Sequence, residues 1–220
     1  MVDRIIQYIS IFLALIVVLP AHEFAHAYAA VKSGDPTPKM NGRYTLNPLA
    51  HFDPIGLVCF VLIGFGWAKP VPIDPYNFKN YKKGLFWVSS AGVIANYIIA
   101  FIAFPLFLLS LYVPQFGYFT EVLQLTLNYI FRLSVVFFIF NLIPVYPLDG
   151  FRIYDALTVN RGGLYRFLRF YGIYVLYFLF LLSFIADWTG VWQLDLLGTA
   201  MNFIANYVQF PITAFWGLMF

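Results

Sequence analysis

Pro20-Ala21-His22-Glu23-Phe24-Ala25-His26-Ala27-Tyr28 lies inside an apolar run that extends from Ile5 to Val31. A run of that length can cross the hydrocarbon of a bilayer as a helix, because about 20 residues suffice at a rise of 1.5 Å each. On that helix His22 and His26 fall one turn apart on one face, with Glu23 beside them. Two neutral imidazoles so placed can grip a zinc ion, and a carboxylate next to them can take a proton from zinc-bound water. The stretch therefore predicts a membrane-spanning first helix and a zinc-dependent hydrolytic centre within it. Pro20 removes one backbone hydrogen bond, so a kink is expected just before His22.

Composition agrees with the membrane setting. Of 220 residues 62% are hydrophobic and only 10% charged, with a mean hydropathy of +0.79, more apolar surface than one soluble core can absorb. The single cysteine, Cys59, excludes an intrachain disulfide and reads as a packed side chain. The net charge of +3 is small, and the basic residues fall between apolar segments rather than in an aromatic-interleaved patch, which argues against nucleic acid as a partner. A cleaved leader fits poorly, since His22, Glu23 and His26 stand where small residues would be needed.

After the first apolar run, Lys32 to Asp53 is polar and punctuated by glycine and proline, a loop with a short strand expected near Arg43 to Leu46. Ile55 to Trp67 is too short to span and is broken by Gly56, Gly64 and Gly66, which predicts a re-entrant or hairpin segment. Pro70 and Pro72 then exclude helix and predict an extended edge over Ala68 to Ile73. Leu85 to Val113, Glu121 to Ile143 and Leu164 to Ala186 can each cross once; Leu196 to Phe220, interrupted by Pro211, is expected to be a fifth span. The fold class is thus an all-α polytopic membrane protein, with about five transmembrane helices plus a short re-entrant or β-hairpin segment near residues 43–73.

The basic residues sort the connections. Lys32, Lys39 and Arg43 lie in one loop, Lys69, Lys79, Lys82 and Lys83 in a second, and Arg152, Arg161, Arg166 and Arg169 in a third; Pro114 to Thr120 and Asp187 to Asp195 hold none. Basic loops face the cytoplasm, so the N-terminus is predicted outside and the histidines towards the cytoplasmic end of the first span. Arg132, within a span, is expected to snorkel, to pair with Glu121 or to line a polar cavity. A third metal ligand must lie at the depth of His22 and His26. Asp149 meets that condition, at the cytoplasmic end of the span beginning near Glu121, where Pro144 and Pro147 unwind the helix and turn the backbone inward.

Taken together, His22-Glu23-Phe24-Ala25-His26, Asn141-Leu142-Ile143-Pro144 and Pro147-Leu148-Asp149-Gly150 resemble the site-2 protease family of intramembrane zinc metalloproteases. Gly34-Asp35-Pro36-Thr37, Leu46-Asn47-Pro48-Leu49-Ala50-His51-Phe52-Asp53-Pro54-Ile55-Gly56 and Gly64-Phe65-Gly66-Trp67-Ala68-Lys69-Pro70-Val71-Pro72 are similar to its compact prokaryotic subgroup. The resemblance covers about residues 11–153. It implies one zinc per chain held by His22, His26 and Asp149, with Glu23 as the general base. Asn96 matches a family asparagine, although Val93 stands where the family usually has proline; its amide would donate to a developing oxyanion or bond between helices. The implied substrate is a transmembrane helix of another membrane protein. The implied layout is a single domain over residues 1–220, a catalytic core at about 5–153 with accessory helices at about 164–220, multi-pass in the cell membrane without PDZ or CBS modules.

A substrate helix hides its scissile carbonyl in an internal hydrogen bond, so it must unwind and find new backbone partners. Arg43 to Leu46 or Ala68 to Ile73 could offer them by strand addition. His51, Asp53 and Asn141 each admit a local structural role or support of the site. The competing functional class is a metal-ion or proton transporter or channel using the same His, Glu and Asp cluster. Its weakness is that ion pathways place polar groups at several depths, and here they gather at one.

Overall fold

A computed structural model describes residues 2–56, 68–159 and 161–219. The order is α1 (Val2–Ser33), two single-turn helices α2 (Thr37–Met40) and α3 (Pro48–His51), a 3-10 turn at Pro75–Asn77, α4 (Tyr81–Ser110), α5 (Tyr118–Leu142), α6 (Asp149–Leu157), α7 (Gly163–Phe170), α8 (Gly172–Thr189), a second 3-10 turn at Trp192–Leu194, and α9 (Leu196–Gly217). Among the described residues four helices, α1, α4, α5 and α8, are long and apolar enough to cross a membrane. The fold is an all-α, multi-pass membrane protein.

The exposed surface agrees. Ile94, Ile98, Ile102, Leu106 and Leu109 of α4 are all exposed and recur at helical spacing, a stripe that hydrocarbon would cover. The opposite faces of α1, α4 and α5 form the core. Ala14 and Val18, Ala100 and Ala103, and Ile130, Phe131, Val135 and Ile139 pack there with Ile212 of α9. The alanines let the backbones approach closely, which is how helices associate when lipid supplies no hydrophobic drive.

The fifth expected span is only partly matched. Residues 196–217 do form a helix, but α9 is not among the four, because Thr199, Asn202, Asn206, Gln209 and Thr213 dilute its apolar length. Its Trp216 indole instead donates to the Phe101 carbonyl at 2.9 Å, fastening α9 to α4. The expected re-entrant or hairpin segment at Ile55 to Trp67 lies largely outside the described residues. Its flanks pair once, through an antiparallel bridge between Phe52 and Ala68, and among the described residues no strand forms at Arg43 to Leu46.

Two close approaches fix what surrounds the histidines. At the end of α1, Gly34 takes φ of +112°, a conformation open to glycine, and the chain turns back so that the Lys79 amide donates to Ser33 O at 2.9 Å. At the end of α5, Ile143 is extended, as a residue before proline must be, and Pro144 stops the helix. The chain then reverses over residues 143–148 and restarts as α6 at Asp149, with Gly150 so close to the Leu142 and Ile143 carbonyls that no Cβ would fit.

Candidate metal centre

His22 and His26 project from the same face of α1, with their Nε2 atoms 3.0 Å apart. Asp149, in the first turn of α6, brings Oδ2 to 3.4 Å from the first and 3.1 Å from the second. All three residues are at most 7% exposed. Among the described residues, these are the His, Cys, Asp and Glu side chains whose ligand atoms converge on one point, all within 4.8 Å of one another.

The other ring nitrogens decide what the convergence means. His26 Nδ1 lies 2.7 Å from the Val88 carbonyl, which can only accept, so Nδ1 carries the proton and Nε2 presents a lone pair. His22 Nδ1 is 3.0 Å from the Asn96 side-chain amide, and Asn96 is fully buried with its Oδ1 otherwise unpartnered. Turning that amide by 180°, a rotation that heavy-atom positions leave open, lets Oδ1 accept from His22 Nδ1 and satisfies both groups. Each Nε2 is then an acceptor. Two imidazole lone pairs and a carboxylate oxygen converge with no proton to share, and Asp149 Oδ2 has no hydrogen-bond donor of its own. Three buried acceptors repel one another unless a cation lies between them, so the site fits a metal ion. Two nitrogens and one oxygen suit zinc and leave a fourth position for water or substrate.

α4 shapes the floor of this site. A Cβ at Gly92 would overlap the rings of both His26 and His22, so the helix passes beneath the histidines only because that position has no side chain. Val88, Gly92 and Asn96 follow one another at intervals of four on the same face of α4. Asn96, read as a candidate oxyanion donor, has its amide against His22, in the place of a group that orients a ligand. The sequence signal that was missed is the pairing of Gly92 with Asn96 one turn later, facing two histidines with the same spacing.

Glu23 is partly buried, and its Oε2 accepts a hydrogen bond of 3.1 Å from the backbone amide of Val71. Residues 69–74 pass beside it in no helix or strand, and two of their donors are engaged: the Lys69 amide bonds to His51 O at 2.7 Å and the Asp74 amide to Asp35 Oδ2 at 2.8 Å. Pro70 and Pro72 have no amide proton, so no free donor remains over residues 69–72 for an added strand. The remaining candidates stand apart from the cluster. His51 is fully buried with Nε2 2.8 Å from the Thr45 carbonyl, Asp53 Oδ1 accepts from the amides of Ile55 and Gly56, and Asn141 donates back to Phe137 O in its own helix. Arg132 is exposed on α5 and forms no ion pair with Glu121.

Relatives of the chain carry names that match this chemistry. It is 42% identical over 148 residues to a Bacillus subtilis (strain 168) protein named "Putative zinc metalloprotease YwhC", a match covering 66% of this chain and 68% of that protein. It is 28% identical over 158 residues to "Putative zinc metalloprotease Rip2" of Mycolicibacterium smegmatis, covering 67% of this chain and 58% of the relative. No family model and no solved structure matches.

Proposed function

The chain belongs to a zinc metalloprotease family of compact site-2 protease type, and from that premise we propose that it hydrolyses a peptide bond inside the transmembrane segment of another membrane protein. The observation that carries this reading is the depth of the site. The two imidazoles overlie Gly92, 11 residues from the Tyr81 end of α4 and 18 from the Ser110 end, about 16 and 27 Å by helical rise, well inside a helix long enough to span and nearer its Tyr81 end. A hydrolytic centre at that depth meets substrates that are themselves in the bilayer.

In this proposal His22, His26 and Asp149 hold one zinc ion per chain. Zinc, when bound, makes water more acidic and polarises a carbonyl. Glu23 takes the proton of the attacking water and passes it to the leaving amine as the C–N bond breaks. Asn96 and the Val88 carbonyl keep the two imidazoles in the tautomer that presents Nε2, and Gly92 lets α4 lie close enough for them to do so. A substrate helix holds its scissile carbonyl in an internal hydrogen bond, so cleavage requires that helix to unwind locally. The catalytic core is assigned to about residues 5–153 of one domain, because α8 and α9 contribute no ligand. The protein is placed in the cell membrane with its N-terminus outside and its site open to the cytoplasm, on the strength of the basic loops. The transporter reading is less favoured, since the relatives are named as metalloproteases and the buried acceptors gather at one level.

Zinc content per chain of the purified protein tests the assignment. About one zinc is expected in the unmodified protein, greatly reduced in Asp149→Ala and retained in Glu23→Gln, with Glu23→Gln unable to cut tagged single-span test proteins in shared liposomes. Undiminished zinc in Asp149→Ala would remove Asp149 from the ligand set. Cleavage by Glu23→Gln at the unmodified rate would remove Glu23 as the base.

A further inference from the structure

We propose that the strap Pro70-Val71-Pro72 positions the catalytic base, with the Val71 backbone amide as a fixed donor to Glu23 Oε2. The proposal rests on the protease reading for the role of Glu23, and on geometry for everything else. Glu23 sits on α1 next to a ligand, with three side-chain torsions that its own helix does not fix. The Val71 amide, 3.1 Å from Oε2, supplies the missing constraint.

The strap is well built for that purpose. Over residues 69–72 only Lys69 and Val71 own an amide proton, and that of Lys69 is held by His51 O. The Val71 amide is the remaining donor, and it points at the carboxylate. Val71 is itself buried. Each end of the strap is anchored: the Phe52–Ala68 bridge, the Lys69–His51 bond and the Arg43 guanidinium, which bonds to Ala50 O and reaches Lys69 O at 3.5 Å, hold one end. Asp74, whose amide bonds to buried Asp35, holds the other. A donor anchored on both sides aims a carboxylate without following it, which is what preorganisation requires. A peptide N–H also cannot accept the proton that the base carries. It occupies one oxygen and leaves the other to exchange a proton with water and the leaving amine. On this reading Val71 is a positioning residue whose backbone acts through Glu23, and the two prolines serve to keep the strap extended and to withhold competing donors.

Hydrogen exchange in the full-length, zinc-loaded protein reads the contact without any substrate. In Lys69 to Ile73 only three amides exchange, because two of the five residues are prolines. Glu23→Ala should speed Val71 exchange roughly tenfold or more, while Glu23→Gln, which keeps a carbonyl oxygen in place, should leave it within about twofold and Lys69 should not change in either. Equal Val71 protection in the native protein and Glu23→Ala would overturn the contact. A second measurement reads the consequence: Val71→Pro, or a backbone ester in place of the Val71 amide, should lower kcat on liposomal single-span test proteins by roughly ten- to hundredfold with KM and zinc content unchanged. An unchanged kcat, or a fall carried by KM or zinc content alone, would overturn the positioning role. Failure of the protease reading is distinguishable, since it would appear as no cleavage by the unmodified, zinc-loaded protein and leave the exchange result intact.

Discussion

One narrow tolerance in the structure is at Gly92. Its missing side chain is what lets α4 run beneath both imidazoles, and a methyl group there would meet the ring atoms of His22 and His26. The rings cannot turn aside without abandoning Val88 O and Asn96, so Gly92→Ala should weaken zinc binding by about tenfold or more while leaving helix content unchanged. Competition with a chromophoric chelator, alongside circular dichroism, checks both halves; native zinc affinity in Gly92→Ala would mean that α4 can back away from α1. The convergence of His22, His26 and Asp149 was legible because its causes are local: i, i+4 histidines and an Asp at matching depth follow from period and topology. The contact of Asn96 with His22 was not. The residue type suggested a hydrogen bond, but sequence does not say whether an amide on α4 meets the substrate or His22, because the difference lies in how two helices are rotated.

Between elements, a knot of hydrogen bonds joins the end of α1 to residues 74–77. Asp35 is fully buried and accepts hydrogen bonds from the Thr37 amide and hydroxyl, the Asn77 side chain and the Asp74 amide. Burial pushes the Asp35 carboxyl up, but the hydrogen bonds from Thr37, Asn77 and the backbone outweigh it and hold it below the usual carboxylate range. A carboxyl whose folded pKa is depressed contributes stability above its unfolded pKa, near 3.8 here, and loses it as pH falls through the folded value. Melting temperature of the native protein should therefore drop more steeply than that of Asp35→Asn between about pH 5 and pH 3. Parallel melting curves across that range would show that the knot does not depend on charge. Only the near half of this knot is local, since Thr37 is two residues from Asp35; Asp74 and Asn77 lie 39 and 42 residues away, and nothing in Gly34-Asp35-Pro36-Thr37 announced them. The spans were legible for the opposite reason, since length and hydropathy are properties of one segment. The expected fifth span is matched only as a helix, because polar residues spaced along α9 leave it less apolar than the other four.

For the whole molecule, the arrangement of basic residues makes a claim about sidedness that four spans satisfy as well as five. With the N-terminus outside, α1 descends, α4 rises, α5 descends and α8 rises, so the loops rich in Lys and Arg all fall on one side and the links at 111–117 and 190–195, which lack them, on the other. The site's opening follows from the same assignment, because Asp149 reaches the histidines from the loop at the descending end of α5. Replacing Cys59, the single native cysteine, with serine makes the claim measurable. In that background Gln115→Cys should react with a membrane-impermeant maleimide in intact spheroplasts, whereas Lys82→Cys should react only after permeabilisation; both positions are exposed to whatever medium they face. The reverse pattern would turn the molecule over and open the site to the outside, and substrates would then have to present their unwound segment from the opposite face. Equal labelling of both positions in intact cells would contradict a fixed orientation, and with it the argument that charge asymmetry sets which side supplies water to the metal.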